Sequence, residues 1–321
     1  MMNRTISETK KTLEANTNEV NISYFLRVTS ALEGTYSYFL RQSPLPDYPE
    51  LLDFQWIKKD KIKAGVTFAL SQDGAAISLP KAPFGGVWTE EKLNSKSLEG
   101  FLLSVIENLQ KRNIQSVRIV QPPKPYGEQV DLINYILFKN GFKVEEVVSQ
   151  QFYSGKKKIK KFAQDQQIKW SPKIKESGLK MQMGPIQNFG FLEEIRSWNM
   201  QKGFSVTFDE SRLIQQVSEF PERYFLISIM KNKQAIAHAL GVMLTEDSLY
   251  YFLSAINPKS EVKNLGDLIL AKFFFLASEL KVNWVDLGSS DLPEGPNHNL
   301  IHFKSRFSND ICIKITWSRT I

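Results

Sequence analysis

The chain has 321 residues, 42% of them hydrophobic and 12% aromatic, which is enough to bury a large core and more than one domain usually holds. A single cysteine, Cys312, excludes an intramolecular disulfide and any zinc site built from several thiolates; its strand-like surroundings, ICIKITW, make it a core residue rather than a nucleophile. The formal net charge of +7 and isoelectric point near 9.2 favour an anionic partner, whether coenzyme, nucleic acid, acidic polymer or membrane surface.

In chain order, residues 1–17 form a polar tail without the apolar run of a signal peptide. Nowhere do about 18 to 20 apolar residues follow one another, so a soluble, cytoplasmic protein is expected. Alternation from Val20 to Val28 predicts a strand. GVTFAL and AAISLP predict two more, joined by the turn SQDG with Gly74 free to take positive φ. After KAPFGGVW comes a helix with apolar side chains at Leu98, Phe101, Leu102, Val105, Ile106 and Leu109, and Ser95 or Ser97 as its N-cap. The strand SVRIVQPP, the helix GEQVDLINYILFKNG stopped at Asn140-Gly141, and the strand KVEEVVSQQFYS complete the first half.

Residues 155–175, GKKKIKKFAQDQQIKWSPKIK, place basic residues on every helical face and few apolar ones. They read as a solvated helix or linker between two domains, or as a phosphate-facing patch in which Lys156, Lys157, Lys158, Lys160 and Lys161 attract without reading any base sequence. Only Phe162 and Trp170 are near enough to stack on bases.

The second half repeats the order of the first. NFGFLEEIRSWNMQKG and FDESRLIQQVSEF predict helices, the latter starting at Asp209 or Ser211. A hairpin turning at KNKQ follows, then the strand SLYYFLSAI and a polar loop from Asn257 to Asp267. DLILAKFFFLASEL is a helix too apolar to be anything but buried. NWVDLGSS, PNHNLIHFKSRF and ICIKITW predict strand, helix and strand. In the hairpin, alternation makes His238 a core residue. Two copies of one α/β plan account for the whole, with domains at 18–155 and 156–321.

Residues 283–307 concentrate polar chemistry between apolar segments, with two of the three histidines and five acidic or basic side chains. His298 and His302, four apart, share a helical face, and either suits a base or proton shuttle. Zinc would need a third ligand from Asp286, Asp291 or Glu294, and no HExxH pattern surrounds the pair, so no metal site is expected. Asp286 ends an otherwise apolar strand, where α/β folds place ligand contacts, and is expected to hold the following loop or Lys304, with base catalysis as its second role.

KAPFGG, FKNGF, KIKESGL, and VDLGSS followed by LIHFKSRF carry a resemblance to the Fem peptidyltransferase (FemABX) family and related tandem GNAT-fold N-acyltransferases, over roughly residues 18 to 318. The resemblance implies an α/β (α+β) fold of two GNAT-like domains, each a mixed, mostly antiparallel sheet flanked by helices. It implies transfer of an acyl or aminoacyl group to a small-molecule or peptide amine by direct attack. No cofactor would be tightly bound, and acyl-CoA or aminoacyl-tRNA would serve as donor. Lys304, in the Phe-Lys motif, would lie near the donor's phosphate or reacting carbonyl. Phe84, Gly85 and Gly86 would line the acceptor side, with Tyr251 and Ser289 as further substrate contacts.

GNAT folds bind the donor's pyrophosphate at the N-terminus of the helix after the fourth strand, here Lys263-Asn264-Leu265-Gly266. Users of acyl-CoA carry Gln or Arg, two spacers, Gly, a spacer, then Gly or Ala. This chain has one glycine there, followed by Asp267, whose charge would repel a phosphate. The first copy shows no such loop, so only the second is expected to bind a donor. The broken glycine pattern also fits a catalytically degenerate pair that binds an anionic partner, tRNA or a cell-envelope precursor, through Lys156 to Lys175.

Overall fold

The computed structural model describes residues 23–31, 47–203, 208–292 and 294–321. The predicted tail and the first three residues of the predicted Val20–Val28 strand lie outside them; the strand itself is β1, Phe25–Ser30. There follow β2 (Glu50–Lys58), β3 (Lys61–Leu70), β4 (Ala75–Ser78), the short β5 (Trp88–Thr89), α1 (Ser95–Lys111), β6 (Ser116–Val120), α2 (Val130–Lys139) and β7 (Lys143–Ser154). The second half opens with α3 (Lys156–Glu176) and β8 (Lys180–Pro185), then α4 (Gly190–Gln201), α5 (Glu210–Glu219), β9 (Tyr224–Lys231), β10 (Gln234–Val242) and β11 (Ser248–Ile256). It closes with α6 (Leu265–Glu279), β12 (Trp284–Ser289), the short β13 (Asp291–Leu292) and β14 (Gly295–Pro296), α7 (His298–Ser305) and β15 (Asp310–Thr320).

Local chemistry sets most of these boundaries. Gly74 takes φ +82° in its turn and Gly141 φ +80° after α2, conformations that cost glycine little. At the β9–β10 hairpin, Asn232 and Lys233 are both left-handed, the geometry of a tight turn between twisted strands. Asp209 caps α5 by accepting from Arg212 N–H at 3.0 Å. The cap of α1 is neither Ser95 nor Ser97 but Asn94, whose Oδ1 accepts from Ser97 N–H at 2.8 Å. Ser97 is buried one turn in, where its hydroxyl accepts from Trp56 Nε1 at 3.0 Å.

Among the described residues one sheet runs β1-β2-β3-β4-β6-β15-β7-β12-β11-β10-β9-β8, with β5 beside β3. The order is that of two copies facing each other: a meander, a parallel pair joined through a helix (β4 with β6, β11 with β12), then the centre. At the centre the copies exchange strands. β15, the last strand of the second half, lies antiparallel between β6 and β7 of the first, and β7 lies antiparallel against β12 of the second.

Three clusters fill the space around the sheet. The first half packs α1 and α2 over Phe54, Phe68 and Ile119. In the second half α6, with eight buried side chains, packs on β9, β10 and α3. The third joins the halves: Phe84, Tyr126 and Phe152 pack with α4, α5 and Leu240. Helix α3 belongs to the second core and is not a freely solvated linker. Ile159, Ala163 and Trp170 are buried along one stripe, and Phe162 meets Phe274 of α6 edge to face at 4.7 Å.

Candidate functional site

Strands β11 and β12 pair only where Ser248–Tyr250 face Trp284–Asp286. Just beyond, β11 carries one residue more than β10, because Leu240 faces Leu253 while Gly241 faces Tyr251. Such a bulge bends its strand, and here it accompanies the parting of β11 from β12. The parted strands open a cavity of about 440 Å³, lined by Tyr251, Ile256, Gly266, Ser289, Phe303 and Lys304 among others. The matching gap in the first half, past the short β4–β6 pairing, is filled by its own chain. Gly85 N–H donates to Val120 O at 3.0 Å, and Gln121 exchanges two hydrogen bonds of 3.1 Å with the Val87 backbone. A Cβ on Gly86 would lie 2.3 Å from Gln121 Oε1 and one on Gly85 2.4 Å from Leu79 Cβ, so only glycines can wedge here.

Among the described residues, Lys304 brings the one ammonium on the cavity wall. It is 7% exposed, and its Nζ donates to Ser289 O at 2.7 Å and to Gly288 O at 3.4 Å. Burial pulls it down to about 8, against the opposing pull of Asp286 and Asp291. Asp286 lies beneath the same loop with no exposed surface. Its Oδ1 accepts from Gly288 N–H at 2.7 Å, its Oδ2 from the Tyr126 hydroxyl at 2.9 Å, and both face Gln150 Nε2 at 3.0 and 2.9 Å. Burial nevertheless pushes its carboxyl up to about 6. Gly288 takes φ +73°, which lets its N–H turn back onto the carboxylate. Asp286 therefore fixes the loop whose carbonyls hold Lys304.

At the mouth of the cavity α6 begins without a side-chain cap, its preceding residue Asn264 being left-handed at φ +64°. Lys263 and Asn264 are exposed there, Leu265 is buried in the core, and Gly266 lies on the cavity wall. Asp267 is paired with Arg306 Nη2 at 2.9 Å, so its charge is compensated from α7. His298 and His302 are exposed on α7 and neither lines the cavity, whereas Lys304 of the same helix points inward. Tyr251 and Ser289 both line it; Ser289 Oγ also donates to Asp291 at 2.7 Å. His238 is buried with Nδ1 2.9 Å from Ser228 Oγ and Nε2 2.7 Å from Glu194, stacked on Trp198. Cys312 is half-buried, and burial pushes its thiol up to about 11, away from thiolate chemistry. Among the described residues no three His, Cys, Asp or Glu side chains are grouped to hold a metal ion.

On the other side of β11, Tyr250 and Phe252 border a second cleft between the halves. Its main part is about 650 Å³ and is lined by Lys81, Phe208, Asp209, Arg212, Gln216 and Phe252 among others. Lys81, Ala82 and Pro83 reach its wall from the segment that continues into Phe84, Gly85 and Gly86. Phe84 itself is buried, 4.6 Å from the ring of Tyr126. Arg212 Nη1 is buried without a hydrogen-bond partner. Tyr126, Gln150, Lys81 and Arg212 are the candidate site residues that sequence reasoning missed. Each lies in a loop, an exchanged strand or a short helix with no motif to mark it.

The strand order in duplicate, each half with a parallel pair joined through a helix, and the parting of β11 from β12 where α6 begins decide the fold. The chain has a tandem GNAT fold. It superimposes on the crystal structure of FemX with a TM-score of 0.60 at 10% identity, covering 84% of this chain and 87% of that one. A tandem GNAT protein from the clavulanic acid biosynthesis pathway gives 0.52 at 8% identity, covering 93% and 98%. L-PGS from Bacillus licheniformis gives 0.53 at 14% identity, covering 80% and 81%. No protein-family model and no curated protein matches the sequence. Within this tandem GNAT fold the copies are not equivalent: the second keeps an open cavity where the first is plugged by its own glycines. No helix among the described residues is long and apolar enough to cross a membrane.

Proposed function

We propose that the chain is an N-acyltransferase that moves an acyl or aminoacyl group from acyl-CoA or aminoacyl-tRNA to an amine. The observation that carries this reading is Lys304, held by two backbone carbonyls on the wall of the open cavity that α6 meets with its N-terminus. The neutral acceptor amine attacks the donor's carbonyl carbon, the C–N bond forms as the carbonyl oxygen gains charge, and the C–S or C–O bond then breaks, with the proton lost by the acceptor nitrogen balancing the one taken up by the leaving thiol or ribose hydroxyl. A fixed ammonium stabilises that developing charge more than it stabilises the neutral carbonyl, which is what lowers a barrier. With its affinity for a proton lowered to about 8, Lys304 can also lend the leaving group a proton near neutrality. Asp286 is a positioning residue here, since its oxygens are occupied by Tyr126, Gln150 and Gly288.

Donor phosphates would meet the uncapped start of α6 around Lys263 to Gly266, where free N–H groups and the helix dipole favour anions. Asp267 does not oppose this, being paired with Arg306. The acceptor would enter the cleft beyond Tyr250 and Phe252, where Lys81 and Arg212, partly offset by Asp209, leave a net positive wall that suits one carrying a carboxylate or phosphate. A site in the cytoplasm, where both donors are made, fits this chemistry.

The test is thermal unfolding of the full chain with CoA, acyl-CoA thioesters of increasing length, and aminoacyl-tRNA at low salt. A ligand at 100 times its Kd stabilises by about 2.7 kcal/mol, visible as a rise in melting temperature. A rise with one donor class supports the reading and names the class; no rise with any of them contradicts it.

A further inference from the structure

A third depression lies on the far side of α6 from the cavity. It is a groove of about 200 Å³ between α3, α6 and β8, lined by Trp170, Ile174, Met181, Leu268, Lys272 and Phe275 among others. Leu268 stands three residues after the start of α6 and Phe275 ten, so the groove begins about 5 Å from that helix N-terminus and runs to about 15 Å, at 1.5 Å per residue. Gly266, Ile269 and Leu270 of the same helix line the catalytic cavity. The start of α6 is thus the ridge that separates the two.

Lys272 lines the groove, and two more ammonium groups lie against Trp170 of its wall. Lys169 and Lys173 lie 5.0 and 5.6 Å from the ring centre of Trp170, and Lys272 lies 4.5 Å from that of Phe275. Among the described residues none of the three is within ion-pairing distance of a carboxylate. Burial lowers the proton affinity of Lys272, and a bound anion would restore it. Three cations outside any ion pair, beside the half-buried ring of Phe275, match a ligand that joins phosphates to a flat base.

Resting on the transferase reading above, we infer that this groove binds the phosphorylated adenosine end of the donor, draped over the start of α6 with its acyl group in the cavity beside Lys304. Both donor classes have that chemistry: CoA carries an adenosine 3′-phosphate on its diphosphate, and charged tRNA ends in an adenosine on a phosphodiester chain. The wider run of lysines from Lys156 to Lys175 would then attract without specificity, while the groove end of α3 makes the fitted contact.

The experiment compares wild type with K169Q/K173Q/K272Q and with K156Q/K157Q/K160Q, which removes the same charge from the other end of α3. Binding of CoA, and of an RNA hairpin ending in CCA, is measured by calorimetry and anisotropy across a salt series, with melting temperatures confirming that all three proteins fold. The groove variant is expected to lose at least tenfold in affinity for one or both probes and to show a salt slope shallower by about two, since each phosphate contact on a single strand contributes ~0.7. The control variant is expected to lose less than threefold. CoA alone affected identifies a thioester source, RNA alone a tRNA source. Equal losses in the two variants, or wild-type binding by the groove variant, would overturn the groove while leaving the transferase reading in place. Failure of wild type to bind either probe would overturn both.

Discussion

Lys304 and Asp286 are held away from their ordinary proton affinities by the same burial, in opposite senses. Asp286, raised from 3.8 to about 6, contributes stability that is present in full below pH 4 and is lost as pH rises through 6. Lys304, lowered from 10.5 to about 8, contributes stability present above 10.5 and lost as pH falls through 8. A third group, Asp53 on β2, is buried with Oδ1 accepting from Thr67 at 2.7 Å and Oδ2 unpartnered, and is pushed up to about 7. Asp53→Asn should therefore raise stability by a few kcal/mol when denaturant unfolding is measured at pH 8, because each tenfold rise in the carboxyl's proton affinity on folding costs the charged form on the order of 1.4 kcal/mol. At pH 4.5 it should change little, because the native carboxyl is then already protonated. In the acceptor cleft, Arg212→Gln should raise KM for an anionic acceptor about tenfold or more with a smaller change in kcat, read from steady-state kinetics.

At the scale of elements, the wedge of Gly85 and Gly86 explains why one copy is closed. Gly86→Ala should cost about 1–3 kcal/mol in unfolding free energy, since the new methyl meets Gln121, whose side chain is fixed by two backbone hydrogen bonds. Donor binding should be unchanged, as the wedge belongs to the other half. α1 and the β9–β10 hairpin were legible from apolar spacing and turn residues, and α6 from its almost wholly apolar run. β2 was not, because Asp53 and Gln55 interrupt its apolar run and are tolerated only where Thr67 and Arg27 bond them. Nor was the buried stripe of α3, which needs only Ile159, Ala163 and Trp170 in a helix otherwise crowded with lysine. Asp286 could be picked out because it ends an otherwise apolar strand, and Lys304 because it stands in the Phe-Lys motif of the resemblance. Tyr126 and Gln150 could not, since they reach Asp286 from 160 and 136 residues away, the latter on a strand that the other half has borrowed.

For the whole molecule, the strand exchange makes each half depend on the other. β15 pairs with both β6 and β7, and β7 with β12, so removal of residues 310–321 would expose a strand edge at the centre of the sheet. That truncation should abolish cooperative folding of both halves, and the intact chain should unfold in a single transition followed equally by tryptophan fluorescence and far-UV circular dichroism. Two separated transitions would show that the halves are independent despite the exchange. The exchange also bears on chemistry, because it brings Gln150 and Tyr126 of the first half under the loop that holds Lys304.

The central claim is that Lys304 acts on a donor carbonyl in the open second copy. Its most direct test is release of the acyl group from the donor class that binds, in the presence of an amine panel, by wild type and by Lys304→Ala, with product mass as the readout. The account predicts transfer by wild type and a loss of roughly 100- to 1,000-fold in turnover for the variant, the size expected when one group that stabilises developing charge is removed, with its donor affinity kept. A variant that folds, binds the donor and turns over at the wild-type rate would contradict it.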